Sequence, residues 1–361
     1  MNKQKLMTYY FVIVTVLLLA SWGFIGYKIG HELKEYNADT PLILSLLYSY
    51  LIFFISIIVT IFLHELGHLL LGLATGYKFL YFRVLSTALV KYDDGYRIKK
   101  QYLPGTAGQC ILNPPDMVDG KFPFILYNLG GLIMNTLLVA VCIVALFIFK
   151  NPWILAAVRT FLVFNIYIIL TNGVPMLGND ASNLKAMLMS DEARLKFWHS
   201  MRYETLKIND NPKVENYKFP KSNGEKIFSQ FFDVAEIERL IYNDKKEEAL
   251  VKIDEYLNSN TLILPPYRAA ALQEKAYIKT YFNRTDEELK VFDIKGLKSY
   301  YKGTINDPSR ARFNIMYNKL VENEPKKLEK AIKKFEKDAN RYIDRYIVRN
   351  ERKLVNEFIN R

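Results

Sequence analysis

The chain has 361 residues, half of them hydrophobic, with 49 Lys and Arg against 37 Asp and Glu and a net charge of +12. Only 13 of those bases and 9 of those acids precede residue 181, so an apolar half is followed by a charged, basic half, which argues against one uniform water-soluble domain. The basic excess is mixed in sign along helical stretches and carries no nucleic-acid motif, so attraction to an anionic lipid leaflet accounts for it better than nucleic acid, and the two cysteines, Cys110 and Cys142, suggest neither a disulfide nor a cysteine metal site.

In chain order, residues 8–29 follow Lys3 and Lys5 and are long and apolar enough to span a bilayer. No small-residue cleavage site follows, so this is a first transmembrane helix rather than a signal peptide. His31 and Glu32 fall in a short polar loop and receive no role. Residues 42–75 form the second span. A helix over residues 41–74 would reach about 51 Å, well beyond a ~30 Å hydrocarbon core, so it must tilt, project or break. Gly76 is its expected C-cap.

The last turns of that span read Ile61-Phe62-Leu63-His64-Glu65-Leu66-Gly67-His68. Four residues advance a helix by about 400°, so both imidazoles point to one side, one turn apart. That spacing lets two ring nitrogens bind one zinc ion, with Glu65 beside the metal as general base. These three are the side chains of residues 41–74 that can carry charge near neutral pH, and such groups are costly at membrane depth unless they do chemistry or transport.

Residues 78–113 break the apolar pattern. Segments 79–84, 88–92 and 96–103 read as strands around a turn at Asp93-Asp94-Gly95, and 105–112 as a short further strand ended by Pro114-Pro115. One reading is a hairpin that closes over the protein. The other is a sheet edge beside the metal that pairs with an extended substrate, with Gly108 and Gln109 as candidate binding residues. The third and fourth spans occupy residues 123–149 and 153–174. The third carries Gly130 and Gly131, which allow close helix packing, and Asn135, which needs a partner or a task. The fourth carries Arg159, near enough to its end to snorkel, then Asn165 and Asn172, the last a candidate substrate-binding residue. The distribution of Lys and Arg places both termini in the cytoplasm, with four crossings and His64 and His68 toward the cytoplasmic leaflet.

A catalytic zinc takes three protein ligands and a water. Asp180 emerges from the fourth span on the same side as the histidines, after Asn172-Gly173-Val174-Pro175-Met176-Leu177-Gly178-Asn179. Glycine and proline interrupt the helix there and let the backbone turn a carboxylate inward. The competing reading makes Asp180 the N-cap of a helix starting near Ala181.

His64-Glu65-Leu66-Gly67-His68 late in one span, Gly130-Gly131 with Asn135 in the next, and Asn172 with Pro175 and an aspartate eight residues after that asparagine resemble the site-2 protease family of intramembrane zinc metalloproteases. The resemblance covers roughly residues 45–185. It implies His64, His68 and Asp180 as zinc ligands, Glu65 as catalytic base, and Asn135 as a group holding substrate backbone or the developing oxyanion. Leu132, Asn179 and Ala181 stand where the family has proline, leucine and glycine, which marks a divergent member. Neither a PDZ-like insertion nor a CBS-like pair is visible.

The expected architecture is an all-α polytopic membrane protein of about four transmembrane helices with a small β-hairpin or sheet insertion and a helical cytoplasmic C-terminal domain. Residues 1–185 form the membrane-embedded metalloprotease domain and 186–361 the soluble domain. Within the latter, residues 192–207 are amphipathic and suited to lie against the membrane. Segments 243–248, 283–288 and 323–327 recur every 40 residues, which leaves a helical repeat and an ordinary bundle both open. Recruitment of a protein partner, or regulation, is the expected role there. The functional expectation is a zinc endopeptidase in a cell membrane, with Lys, Asn, Ile and Tyr usage fitting an AT-rich bacterium. Its substrate would be a transmembrane or signal-peptide-like segment cut near the cytoplasmic leaflet. The rivals are a membrane protease similar to the CAAX-processing class, with a glutamate as third ligand, and an inactive receptor or immunity-type protein on a degenerate protease scaffold. A metal transporter would need polar residues along more spans than this sequence offers.

Overall fold

The computed structural model describes residues 3–36, 41–101, 103, 106–176, 178–221, 228–259, 263–282, 297–304, 306–322 and 324–360. Among them, four helices are long and apolar enough to cross a membrane: α1 (Lys3–Tyr36), α2 (Leu42–Ala74), α3 (Ile125–Ile148) and α4 (Pro152–Gly173). Their large side chains face outward, with Tyr27 73 % and Phe147 77 % exposed, a burden that lipid rather than water can cover. The inward face of α2 is the polar one, holding Ser56, Thr60, His64, Glu65, Gly67 and His68. Small and polar residues line the contacts because lipid gives no hydrophobic reason to bring apolar faces together.

One expectation for the first span is corrected. α1 continues to Tyr36, so His31 and Glu32 sit on its closing turns rather than in a loop. The Arg159 guanidinium of α4 donates to Glu32 Oε2 at 2.6 Å, with both side chains mostly buried. At the far end of α2, Gly76 at φ +88° ends the helix as expected. Gly76 N bonds Leu73 O and Tyr77 N bonds Gly72 O, the paired bonds of a Schellman motif.

Four strands follow: β1 (Lys78–Val84), β2 (Thr87–Tyr92), β3 (Gly95–Lys100) and β4 (Gly108–Asn113). β1 to β3 are an antiparallel meander, with Tyr81 opposite Val90 and Tyr92 opposite Gly95 across the Asp93-Asp94 turn. The strand order in the sheet is β3-β2-β1-β4.

The chain forms two compact units, Met1–Phe79 with Gly108–Met189, and Leu80–Ala107 with Ser190–Arg361. The first holds the four long helices, β4 and a short helix, α5 (Asp180–Met189). In it α2 packs on α3 and α4, and α1 packs on α4.

The second unit holds the hairpin and helices α6 (Asp191–Ile208), α7 (Ser229–Tyr242), α8 (Lys246–Asn258), α9 (Pro265–Tyr281), α10 (Lys298–Gly303), α11 (Pro308–Tyr317), α12 (Pro325–Ala339) and α13 (Arg345–Ile359). Their core includes Ile241, Ala249, Ala276, Phe313, Phe335 and Leu354. α6 sinks Tyr203 into this core at 1 % exposure. Of the 40-residue period, segment 243–248 spans the turn between α7 and α8, while 283–288 and Asn323 lie outside the described residues.

Candidate metal centre

The site is assembled where α2, α3 and α5 meet, and glycines set how closely they meet. At the crossing of α2 and α3, Gly67 faces Gly130: a Cβ on Gly130 would stand 2.6 Å from His68 Cα, so the backbones themselves are in contact. One residue on, a Cβ on Gly131 would stand 2.6 Å from His64 Nδ1. The flat ring of His64 therefore lies on the surface of α3, where any side chain would displace it.

Each histidine is held from behind. His68 Nδ1 lies 2.7 Å from the Tyr127 carbonyl, and His64 Nδ1 lies 2.5 Å from Asn135 Oδ1. Both partners accept, so both Nδ1 atoms carry the ring proton and both Nε2 atoms present lone pairs. Tyr127 is itself fixed, stacked on Tyr77 at 4.8 Å between ring centroids and donating its hydroxyl to the Cys110 carbonyl at 2.7 Å.

Asp180 completes the cluster. Its Oδ2 lies 3.1 Å from His64 Nε2 and 3.3 Å from His68 Nε2, and the two Nε2 atoms are 3.2 Å apart. Donors about 2.0 Å from a zinc ion stand about 3.3 Å from one another in a tetrahedron. The three atoms are thus spaced as the donors on one face of such a tetrahedron would be. With both ring protons on Nδ1, two lone pairs and a carboxylate oxygen face one another, an arrangement that either a metal ion or one further proton shared with Asp180 would satisfy. Protonating both Nε2 atoms instead would set two imidazolium charges around one carboxylate at side chains only 8 % exposed. The residues present fit a zinc ion.

The cap of α5 is the neighbouring Asn179 rather than Asp180. Asn179 Oδ1 accepts from Ser182 N at 3.0 Å and so caps α5 itself. The same oxygen accepts from Met176 N, and Asn179 Nδ2 reaches the carbonyls of Thr171 and Val174. Asn179 thereby ties the end of α4 to the start of α5, and leaves the Asp180 carboxylate to turn toward the histidines.

Glu65 is buried beside this cluster. Gly108, the first residue of β4, lies directly against it: a Cβ there would stand 2.7 Å from Glu65 Cγ. Gln109 follows, half-buried, its Oε1 without a hydrogen-bond partner among the described residues. Asn172 is half-buried in the last turn of α4. Asn135 is fully buried behind His64, with Oδ1 on the imidazole and Nδ2 donating to Asn165 Oδ1 at 2.7 Å.

Sequence reasoning assigned no place at the site to Asn165, Asn179 or the Tyr127 carbonyl. Asn165 carried a signal, being a polar residue inside an apolar span. Asn179 was visible only as a departure from the family pattern, and a backbone carbonyl leaves no mark in a sequence. The chain matches no protein-family model, no curated protein and no solved structure.

Proposed function

We propose that this chain is an intramembrane zinc endopeptidase of site-2 protease type. The observation that carries this reading is the convergence of His64 Nε2, His68 Nε2 and Asp180 Oδ2 at 3.1–3.3 Å within a bundle of apolar helices, with Glu65 alongside. A bound zinc ion supplies Lewis acidity toward a carbonyl and lowers the pKa of a water to near neutrality. Glu65 takes a proton from the attacking water and returns it to the departing amide nitrogen.

The substrate is a transmembrane or signal-peptide-like segment, cut near the cytoplasmic leaflet. A helical substrate hides its carbonyls in its own hydrogen bonds and must be opened. β4 begins on Glu65, so an extended segment pairing with it would bring its carbonyls toward the base. The C-terminal helices serve recruitment of a protein partner.

The test combines metal content and turnover on the full chain. Wild type is expected to hold one zinc, which His68→Ala and Asp180→Ala lose. Glu65→Gln should keep the zinc and abolish cleavage of a single-span substrate. Proteolysis surviving in Glu65→Gln, or a metal-replete wild type without zinc, would overturn the proposal.

A further inference from the structure

His64 binds a metal through Nε2 only while its proton is on Nδ1, and a neutral imidazole in water has no strong reason to keep it there. Asn135 Oδ1 holds it there, but an amide side chain can turn over and offer its NH2 instead. What stops Asn135 from turning is behind it. Asn135 Nδ2 donates to Asn165 Oδ1 at 2.7 Å, and Asn165 Nδ2 donates to the Phe161 carbonyl at 2.8 Å. Both asparagines are 0 % exposed.

The direction of this chain follows from its last member. A backbone carbonyl only accepts, so Asn165 must present its NH2 to Phe161 and its oxygen to Asn135. Asn135 must then present its NH2 to Asn165 and its oxygen to His64. His64 is left with its proton on Nδ1 and its lone pair toward Asp180. Two buried amides also cost free energy in an apolar bundle that leucine would not, which sets them apart from ordinary packing.

We propose that Asn165 and Asn135 are positioning residues, a one-way hydrogen-bond relay that starts at the Phe161 carbonyl and fixes the metal-binding tautomer of His64. The relay rests on the metal reading above and deepens it. It predicts that Asn165, which contacts Asn135 rather than His64 in this chain of bonds, controls metal affinity.

The experiment is Zn2+ competition against a chromophoric chelator, with Co2+ absorption as a second readout, on the full chain in detergent. Asn165→Ala frees the Asn135 amide to turn, and affinity should fall about 10- to 100-fold, the usual loss when a ligand's outer partner is removed. Adding Asn135→Asp to Asn165→Ala should restore most of that loss, because a carboxylate accepts through either oxygen and needs no orienting partner. Thr160→Val, in the same helix and 2 % exposed, should leave affinity unchanged. Wild-type affinity in Asn165→Ala overturns the relay. So does a loss that the Asn135→Asp double variant fails to recover, since that is the behaviour of a helix clamp. A wild type that binds neither metal overturns the metal reading itself, and the relay with it.

Discussion

At Gly131 the identity of one residue decides whether His64 has a place to lie. A methyl group there would overlap the imidazole ring, and α3 could make room only by giving up the close backbone contact of Gly130 with α2. Gly131→Ala should therefore cost zinc affinity by at least tenfold while the helical content of the protein is retained; chelator competition beside far-UV circular dichroism checks both. Asn179 gives a sharper case. The His64-Glu65-His68 triplet was legible because helical spacing alone puts its rings on one side. Asp180 was legible from its place after a span that ends on the same side. Asn179 was not, because its value lies in four bonds to backbone groups between Thr171 and Ser182 that have no sequence signature. Asn179→Leu should weaken zinc binding and remove about 1 kcal/mol of cap stabilisation from α5. Unchanged zinc affinity in that variant would show that Asp180 is placed without the loop.

Among the elements, the long helices were readable from length and hydropathy, and the strands from alternation and the Asp93-Asp94-Gly95 turn. What was hidden were the pairings made by buried charges. Arg312 of α11 is one. It donates to Glu274 of α9 through Nη2 and to Glu351 of α13 through Nε at 2.6 Å, and its guanidinium lies 3.7 Å from the centroid of the Tyr277 ring. Three helices meet on this one cation, and nothing in the spacing of residues 274, 312 and 351 announces it. Arg312→Met should destabilise the helical unit by about 3–5 kcal/mol, because it strands two buried carboxylates, seen as a lowered thermal midpoint. Two acids share that one cation, so burial wins at Glu351. Its carboxyl is pushed up from its ordinary 4.5 to about 7, with Glu274 adding to the rise and Arg312 opposing it. Between those values the folded chain holds a proton that the unfolded chain has released. Stability contributed by this group is thus complete below pH 4.5 and is lost as pH rises through about 7. Glu351→Gln should flatten the stability–pH profile over that window relative to wild type; parallel profiles would show that Glu351 is charged throughout.

For the whole molecule, the division of the chain in space is not the division in sequence. The β2–β3 hairpin interrupts the apolar half, yet it folds with the C-terminal helices. The Tyr92 hydroxyl donates to the Ile343 carbonyl at 2.8 Å, Lys100 N donates to the Arg341 carbonyl at 2.8 Å, and Arg345 grips Asp94 while lying 3.9 Å from the centroid of the Tyr92 ring. One face of β2 is wholly buried, with Ala88 and Val90 at 0 % and Tyr92 at 2 % exposure. A two-stranded ribbon is marginal in water unless such a face is covered, so the hairpin depends on helices more than two hundred residues away in the chain. Sequence periodicity cannot reveal this, since alternation marks a strand with one buried face but not what buries it. Truncation after Met189 should therefore release the hairpin. Trypsin is expected to cut at Arg97, Lys99 or Lys100 at least tenfold faster in the truncated protein than in the full chain, because cleavage follows the population of the opened segment. Equal rates would mean that the hairpin folds without its helical cover, and that Tyr92 and Arg345 contribute little to holding it.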